Sequence, residues 1–277
     1  MGRWCRHWMW GFVTIVVQAI GVIHAGELHF FEREAIFSLP LANPRSPELA
    51  FEYFPLVSPD QYQGNLGARI PWVTWEWSGR QVQFGIDGGS WTSIYRGRTN
   101  FPVTDADYLI GFPLMYRDGS FSAELSVVHI SSHLGDGDRL GRVPFVYSRE
   151  YFSLRLSQEI DLWPGEIRFY GGGGYIFNVS PPLDRPSIGG GIEVVVRGEG
   201  GPLLRIVSPY LAADVTWNDD TDSIDQSVQL GTYLFRAPES HVEVRYAWTG
   251  YWGSDRRGER LGRNLERYGM GLFFRLR

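Results

Sequence analysis

Tyr-Gly-Met-Gly-Leu-Phe-Phe-Arg-Leu-Arg, residues 268–277, alternates to its last residue. Tyr268, Met270, Leu272, Phe274 and Leu276 fall on one face of an extended strand. Gly269, Gly271, Phe273, Arg275 and Arg277 fall on the other. A soluble protein has little reason to place a two-faced aromatic strand there. The last strand of an outer-membrane β-barrel closes the barrel and resembles the signal that the insertion machinery reads. The expected fold is therefore all-β: an antiparallel transmembrane barrel, in contact with the barrel-assembly machinery during insertion.

The other end of the chain fits this location. Arg3, Arg6 and His7 precede an apolar run from Trp8 to Ile23 broken only by Thr14 and Gln18. That run is short for a spanning helix and reads as a signal peptide over residues 1–25, cleaved after Ala25. An uncleaved anchor is the competing reading. No later segment approaches ~18 consecutive apolar residues, so any further crossing is by strands.

Composition narrows the class. The 277 residues are 15% aromatic and include 34 Gly, yet mean hydropathy is −0.19. That mixture suits many strands with one apolar and one polar face. Cys5 is the only cysteine and lies in the leader, so disulfides and cysteine metal sites are excluded from the mature chain. Net charge is −5, every basic residue is Arg, and no basic stripe points to nucleic acid. No cofactor motif is present.

Residues 26–47 carry Pro40, Pro44 and Pro47 and read as a periplasmic lead-in that folds over or into the barrel mouth. Residues 48–277 then read as the barrel, with about twelve strands. They are expected near 48–56, 67–78, 81–96, 107–117, 119–133, 145–158, 166–177, 186–197, 202–216, 224–236, 240–250 and 265–277. Connections alternate. Segments 97–106, 134–144, 178–185, 217–223 and 251–264 are long or polar; 159–165, 198–201, 237–239 and Asp118-Gly119 are shorter. Long outer loops and short periplasmic turns are the habit of membrane barrels. In 241–249, Val242, Val244, Tyr246 and Trp248 share a lipid face while Glu243 and Arg245 face the lumen, as does Glu124. Trp75, Trp77, Trp91, Trp217 and Trp252 are placed near strand ends, as girdle residues. Gly171 to Gly174 lie mid-strand, where they let the sheet curl.

Several stretches resemble one family. They are Asp107-Tyr108-Leu-Ile-Gly111-Phe-Pro113-Leu114, His129-Ile-Ser131-Ser132-His133-Leu134-Gly135-Asp136, Tyr147-Ser148-Arg149-Glu150 and Arg168-Phe-Tyr170-Gly171-Gly172-Gly173. With the opening Pro40-Leu41-Ala42-Asn43-Pro44-Arg45, they resemble the bacterial domain of unknown function 1207 family of outer-membrane β-barrel proteins. Asn43 stands where that family usually has Asp, and Gly137 where an acidic residue is usual. The resemblance implies a barrel and supplies no mechanism.

One constellation suggests chemistry. Ala123, Leu125 and Val127 face lipid, and unbroken parity carries His129 and Ser131 onto the same face. If the next hairpin folds near residues 139–140, His129 comes opposite residues close to Glu150. An imidazole to take a proton, a carboxylate to orient it and a hydroxyl to attack make an acyl-ester hydrolase triad. The His-x-Ser spacing with a Glu on the neighbouring strand resembles outer-membrane lipid A deacylases. The competing reading is a rim cluster in which Ser132, His133 and Asp136 hydrogen-bond with them. A metal site from His129, His133, Asp136 and Asp138 is a third reading, and Asp219, Asp220 and Asp222 form a second acidic loop; neither has the pattern of a zinc or calcium motif.

Three functions follow. The first is a monomeric outer-membrane barrel in contact with lipid, serving as narrow channel, surface protein or structural element. The second is an outer-leaflet lipid acyl hydrolase. The third is a soluble periplasmic carbohydrate-binding β-sandwich. The leader reading has a direct check: intact-mass measurement of protein purified from the envelope should give a chain beginning at Gly26, and a chain retaining Met1 would establish the anchor instead.

Overall fold

The computed structural model describes residues 26–31, 34–57, 62–97, 99–137, 147–182, 186–197, 208–235 and 242–276. The leader, Asp138, Arg277, the turns at 198–201 and 237–239 and the starts of the strands expected from 145, 202 and 240 lie outside these residues.

Alternating sequence forms alternating strands. They are β1 (Glu27–Phe30), β2 (Leu49–Tyr53), β3 (Tyr62–Trp77), β4 (Arg80–Ile94), β5 (Val103–Asp118), β6 (Phe121–Leu134) and β7 (Tyr147–Leu162). Then follow β8 (Gly165–Ser180), β9 (Pro186–Val196), β10 (Ser208–Asn218), β11 (Ser223–Phe235), β12 (Val242–Ser254) and β13 (Asn264–Leu276). Each of β3 to β12 pairs antiparallel with the next. β13 pairs with β2, and β2 with β3, so twelve strands, β2 to β13, close on themselves. A closed single sheet corrects the sandwich reading, which needs two sheets packed face to face.

Turn chemistry gives the barrel two different ends. Ser78 and Gly79, with φ of 49° and 78°, make the two-residue turn between β3 and β4. Gly119, at φ 58°, helps turn β5 into β6, and Trp163-Pro164 joins β7 to β8. The opposite end carries the longer connections, including 95–102 and 255–263.

The outside is apolar. Ile110, Phe112 and Leu114 on β5, Leu125 and Val127 on β6, and Phe152, Leu154 and Leu156 on β7 are all exposed. So large an apolar belt calls for lipid around it. Trp217, Trp75 and Trp77 also face outward, the last two stacked at 4.2 Å. Trp91 corrects its girdle assignment. It points inward at 3% exposure with the Arg45 guanidinium 5.1 Å above its ring.

The inside is filled by the chain itself. β1 and β2 pair with the same edge of β3, β1 at Val73–Glu76 and β2 at Tyr62–Asn65. They are two halves of one interrupted lane, and the chain between them turns into the lumen. Phe37, at 0% exposure, packs with Ile36 and Met115. Leu41 and Ala42 join Ala50, Val195, Tyr210, Ala212, Tyr233, Ala247 and Phe273 from the surrounding wall. This irregular backbone needs partners, and wall side chains provide them. Arg69 donates to the Phe37 carbonyl at 3.1 Å, Arg168 to Ser38 at 2.6 Å, Arg275 to Leu39 at 3.0 Å and Ser227 to Ala42 at 2.6 Å. Gln83 accepts from the Ile36 N–H at 3.1 Å and Glu193 from the Leu41 N–H at 2.7 Å. The plug leaves one cavity of about 180 Å³ beside Tyr170, Asp214 and Arg256, and one of about 460 Å³ beside Glu34, Arg117 and Glu159.

The loop 255–263 folds inward at the long-loop end. Gly258 lies so close to β6 and β7 that a Cβ there would overlap the Ser132 hydroxyl and the Tyr147 ring. Arg260 pairs with Asp105 on β5 at 2.5 Å. Burial alone would raise the Asp255 carboxyl, but the Arg257 guanidinium beside it prevails and holds it below the usual carboxylate range.

The plug makes a stability prediction. Phe37→Ala should destabilise the barrel by about 3–5 kcal/mol, the usual result of emptying a buried aromatic site. Urea unfolding in detergent, followed by tryptophan fluorescence, should show the lower midpoint; an unchanged midpoint would mean that Phe37 is not packed in the lumen.

Candidate functional site

β6 carries the site because its alternation runs unbroken. Ser122, Glu124, Ser126, Val128, Ile130 and Ser132 are buried toward the lumen, while Leu125, Val127, His129 and Ser131 face out. On β7, Glu150 shares the outward face with Phe152 and Leu154. The register pairs His129 directly with Glu150 and Ser131 with Ser148. His129 Nδ1 and Glu150 Oε1 are 2.7 Å apart, with the side chains 41% and 25% exposed. A ring that donates from Nδ1 to this carboxylate leaves Nε2 as the nitrogen that can take up a proton when neutral.

Neighbouring strands fix the level of the site. Ile110 lies opposite His129 and Tyr108 opposite Ser131, while Phe112 and Val127 sit one step further into the apolar belt. The polar groups therefore stand at the edge of the belt, on the side of the longer loops. Ser131 is two residues beyond His129, ~7 Å along the strand. No hydrogen bond joins Ser131 to His129 among the described residues; such contacts commonly tighten only when substrate arrives.

Glu150 has a second partner that strict alternation hides. Asn178 Nδ2 donates to Glu150 Oε2 at 2.6 Å. The β7–β8 register shifts here, pairing Glu150 with Asn178 but Tyr151 with Ile176. Counting from Tyr175 by twos puts Phe177 outside and Asn178 inside, so no periodicity in the sequence reveals this contact.

The remaining expected residues separate. Ser132 points inward and donates to Asp107 at 2.5 Å. His133 is exposed, its ring 5.7 Å from that of Tyr108, and Asp136 is exposed on the following loop. Ser132, His133 and Asp136 do not converge as one rim cluster. Among the described residues no three His, Cys, Asp or Glu side chains come together as a metal site. Glu124, Glu243 and Arg245 are all buried inside the barrel. Arg69 pairs with Glu124 at 2.5 Å and with Asp87 at 2.7 Å; Arg245 pairs with Glu48 of the plug and lies 3.9 Å from Glu243.

Comparison with known proteins agrees with this architecture. Residues 55–276 match the profile of a family described as Protein of unknown function (DUF1207). Among solved structures, the chain is similar to the Salmonella typhi outer membrane phospholipase (OMPLA) dimer with bound calcium. Identity is 12% and the TM-score 0.51, covering 89% of this chain and 94% of that one. It is also similar to the outer membrane phospholipase A from Escherichia coli (13% identity, TM-score 0.48, 89% and 94% covered). The β domain of the Bordetella autotransporter BrkA follows at 15% identity and a TM-score of 0.45, covering 82% and 94%. These likenesses are of fold. No curated protein sequence matches the chain.

The facing of the site residues can be read chemically. With Cys5 replaced by Ser, single cysteines at positions 129 and 131 should react with a bulky membrane-permeant maleimide. Cysteines at 130 and 132 should resist it. Equal labelling of all four would break the parity on which the site depends.

Proposed function

The chain belongs to the DUF1207 family, and we propose that it is an outer-membrane barrel whose lipid-facing wall cleaves acyl esters of outer-leaflet lipids. The observation that carries this reading is the 2.7 Å His129–Glu150 contact on the outward face, with Ser131 two residues along the same strand. Imidazole and carboxylate on a lipid-facing wall are disfavoured unless they do something there. Their level, at the edge of the apolar belt, is where the esters of a lipid meet its headgroup. The likeness to a phospholipase supports the fold; the hydrolase reading rests on His129, Ser131 and Glu150.

The chemistry follows from the arrangement. Ser131 Oγ attacks the ester carbonyl carbon as its proton passes to His129 Nε2. Glu150, hydrogen-bonded at Nδ1, stabilises the imidazolium. The tetrahedral intermediate collapses, the acyl C–O bond breaks, and the leaving alcohol takes the proton from Nε2. Water then attacks the acyl-Ser131 ester as one of its protons passes to Nε2; the acyl–Oγ bond breaks, Ser131 Oγ takes that proton back, and a fatty acid is released. Passive passage of solute is less well supported, because the plug occupies the lumen. In the same reading, residues 1–25 are removed on export, the barrel-assembly machinery inserts the chain, and the monomer faces lipid.

The test is fatty-acid release, measured by mass spectrometry, from mixed micelles of phosphatidylethanolamine and lipopolysaccharide. Wild-type protein should release free fatty acid. Ser131→Ala and His129→Ala should each lower the rate on the order of 10³-fold or more. Release that is absent from the wild type, or equal in all three proteins, would remove the hydrolase reading.

A further inference from the structure

We propose that Asn178 is a positioning residue of this site and that an extra residue in β8 exists to deliver it. The inference rests on the acyl-hydrolase reading above. In a regular ladder Asn178 would face the lumen. Between the pairs Glu150–Asn178 and Tyr151–Ile176, Phe177 has no partner of its own on β7. This one-residue bulge turns both Phe177 and Asn178 outward. Phe177 settles against Phe152, ring centroids 4.7 Å apart, on the apolar belt. Asn178 is left beside Glu150.

The result is a carboxylate gripped from both sides. Asn178 on β8 holds Oε2 at 2.6 Å, and His129 on β6 meets Oε1 at 2.7 Å. A Glu side chain has several rotatable bonds, and a partly exposed one wanders unless it is held. Two contacts from opposite neighbouring strands fix its plane, and the plane fixes the imidazole. The chemistry of the holder matters as well. An Arg or Lys at this point would neutralise Glu150 and weaken its support of a developing imidazolium. A neutral amide orients the carboxylate and leaves its charge in place. A bulge interrupts ladder pairing in a wall where unpaired backbone is expensive, so a purchase on Glu150 gives it a reason to be there.

Asn178→Ala is the test, read two ways in detergent-solubilised full-length protein. First, kcat for fatty-acid release should fall about 10- to 100-fold, the size of one lost hydrogen bond to a charged group, while apparent KM stays within about twofold. Asn178→Gln, which keeps the amide, should recover part of that loss. Second, nitrogen-15 spectra of labelled histidine should show His129 protonated at Nδ1 in wild type and as mixed tautomers in Asn178→Ala. Wild-type kcat and an unchanged tautomer in Asn178→Ala would overturn the proposal. Failure of the hydrolase reading looks different: Ser131→Ala would release fatty acid as wild type does, and the tautomer spectra would still decide whether Asn178 positions the pair.

Discussion

A guanidinium removed from water must be paired, and Arg245 is removed completely, at 0% side-chain exposure. Its partner Glu48 belongs to the segment that the barrel encloses, and Glu48 also takes Arg275 at 3.0 Å. The Arg245 guanidinium lies between the Tyr210 and Phe273 rings, 5.7 and 5.1 Å from their centroids. Leaving such a charge buried without its partner costs about 3–5 kcal/mol. Wall and plug therefore require each other. The plug brings irregular backbone whose carbonyls need donors, and the wall brings arginines, each with a fork of donors. Arg69, Arg117, Arg168 and Arg275 all spend part of that capacity on plug carbonyls. Neither half is satisfied alone.

A filled lumen moves the search for function to the outer wall. The loop 255–263 reinforces this, since its Arg260 reaches across the mouth to Asp105 on β5 while its Arg256 pairs with Asp225 on the adjacent β11. Outside, an apolar belt is interrupted at one level by His129, Glu150 and Asn178, joined through a single carboxylate. Inside, the charged groups Arg69, Arg168 and Arg245 are held by plug and pairing. Outside, His129, Glu150 and Asn178 stand together on the apolar face, and they carry the functional reading.

Much of the barrel was legible because period-2 alternation is a local signal that the fold cannot override without reversing which residues meet lipid. The final strand and the twelve-strand count follow from it, and the sheet bears them out; the same alternation puts His129 and Glu150 on one face, where the register sets them opposite each other. The plug was not legible in the same way. Pro40-Leu41-Ala42-Asn43-Pro44 has no periodicity, and what fixes its place is side chains more than a hundred residues away, such as Glu193 and Ser227. Trp91 misled because a tryptophan near a strand end suits a girdle, whereas its parity with Gln83 and Asp87 on β4 turns it inward, where Arg45 lies over its ring. Asn178 was hidden by one extra residue, the smallest change that defeats a parity argument.

The central claim is that the barrel folds around its own N-terminal segment. Hydrogen exchange at the Ile36 and Leu41 amides, which donate to Gln83 and Glu193 inside the lumen, tests it most directly. In detergent-solubilised protein they should exchange as slowly as wall amides of β12. Exchange at the rate of an unstructured peptide would mean that the segment hangs free and that the lumen charges are paired by something else.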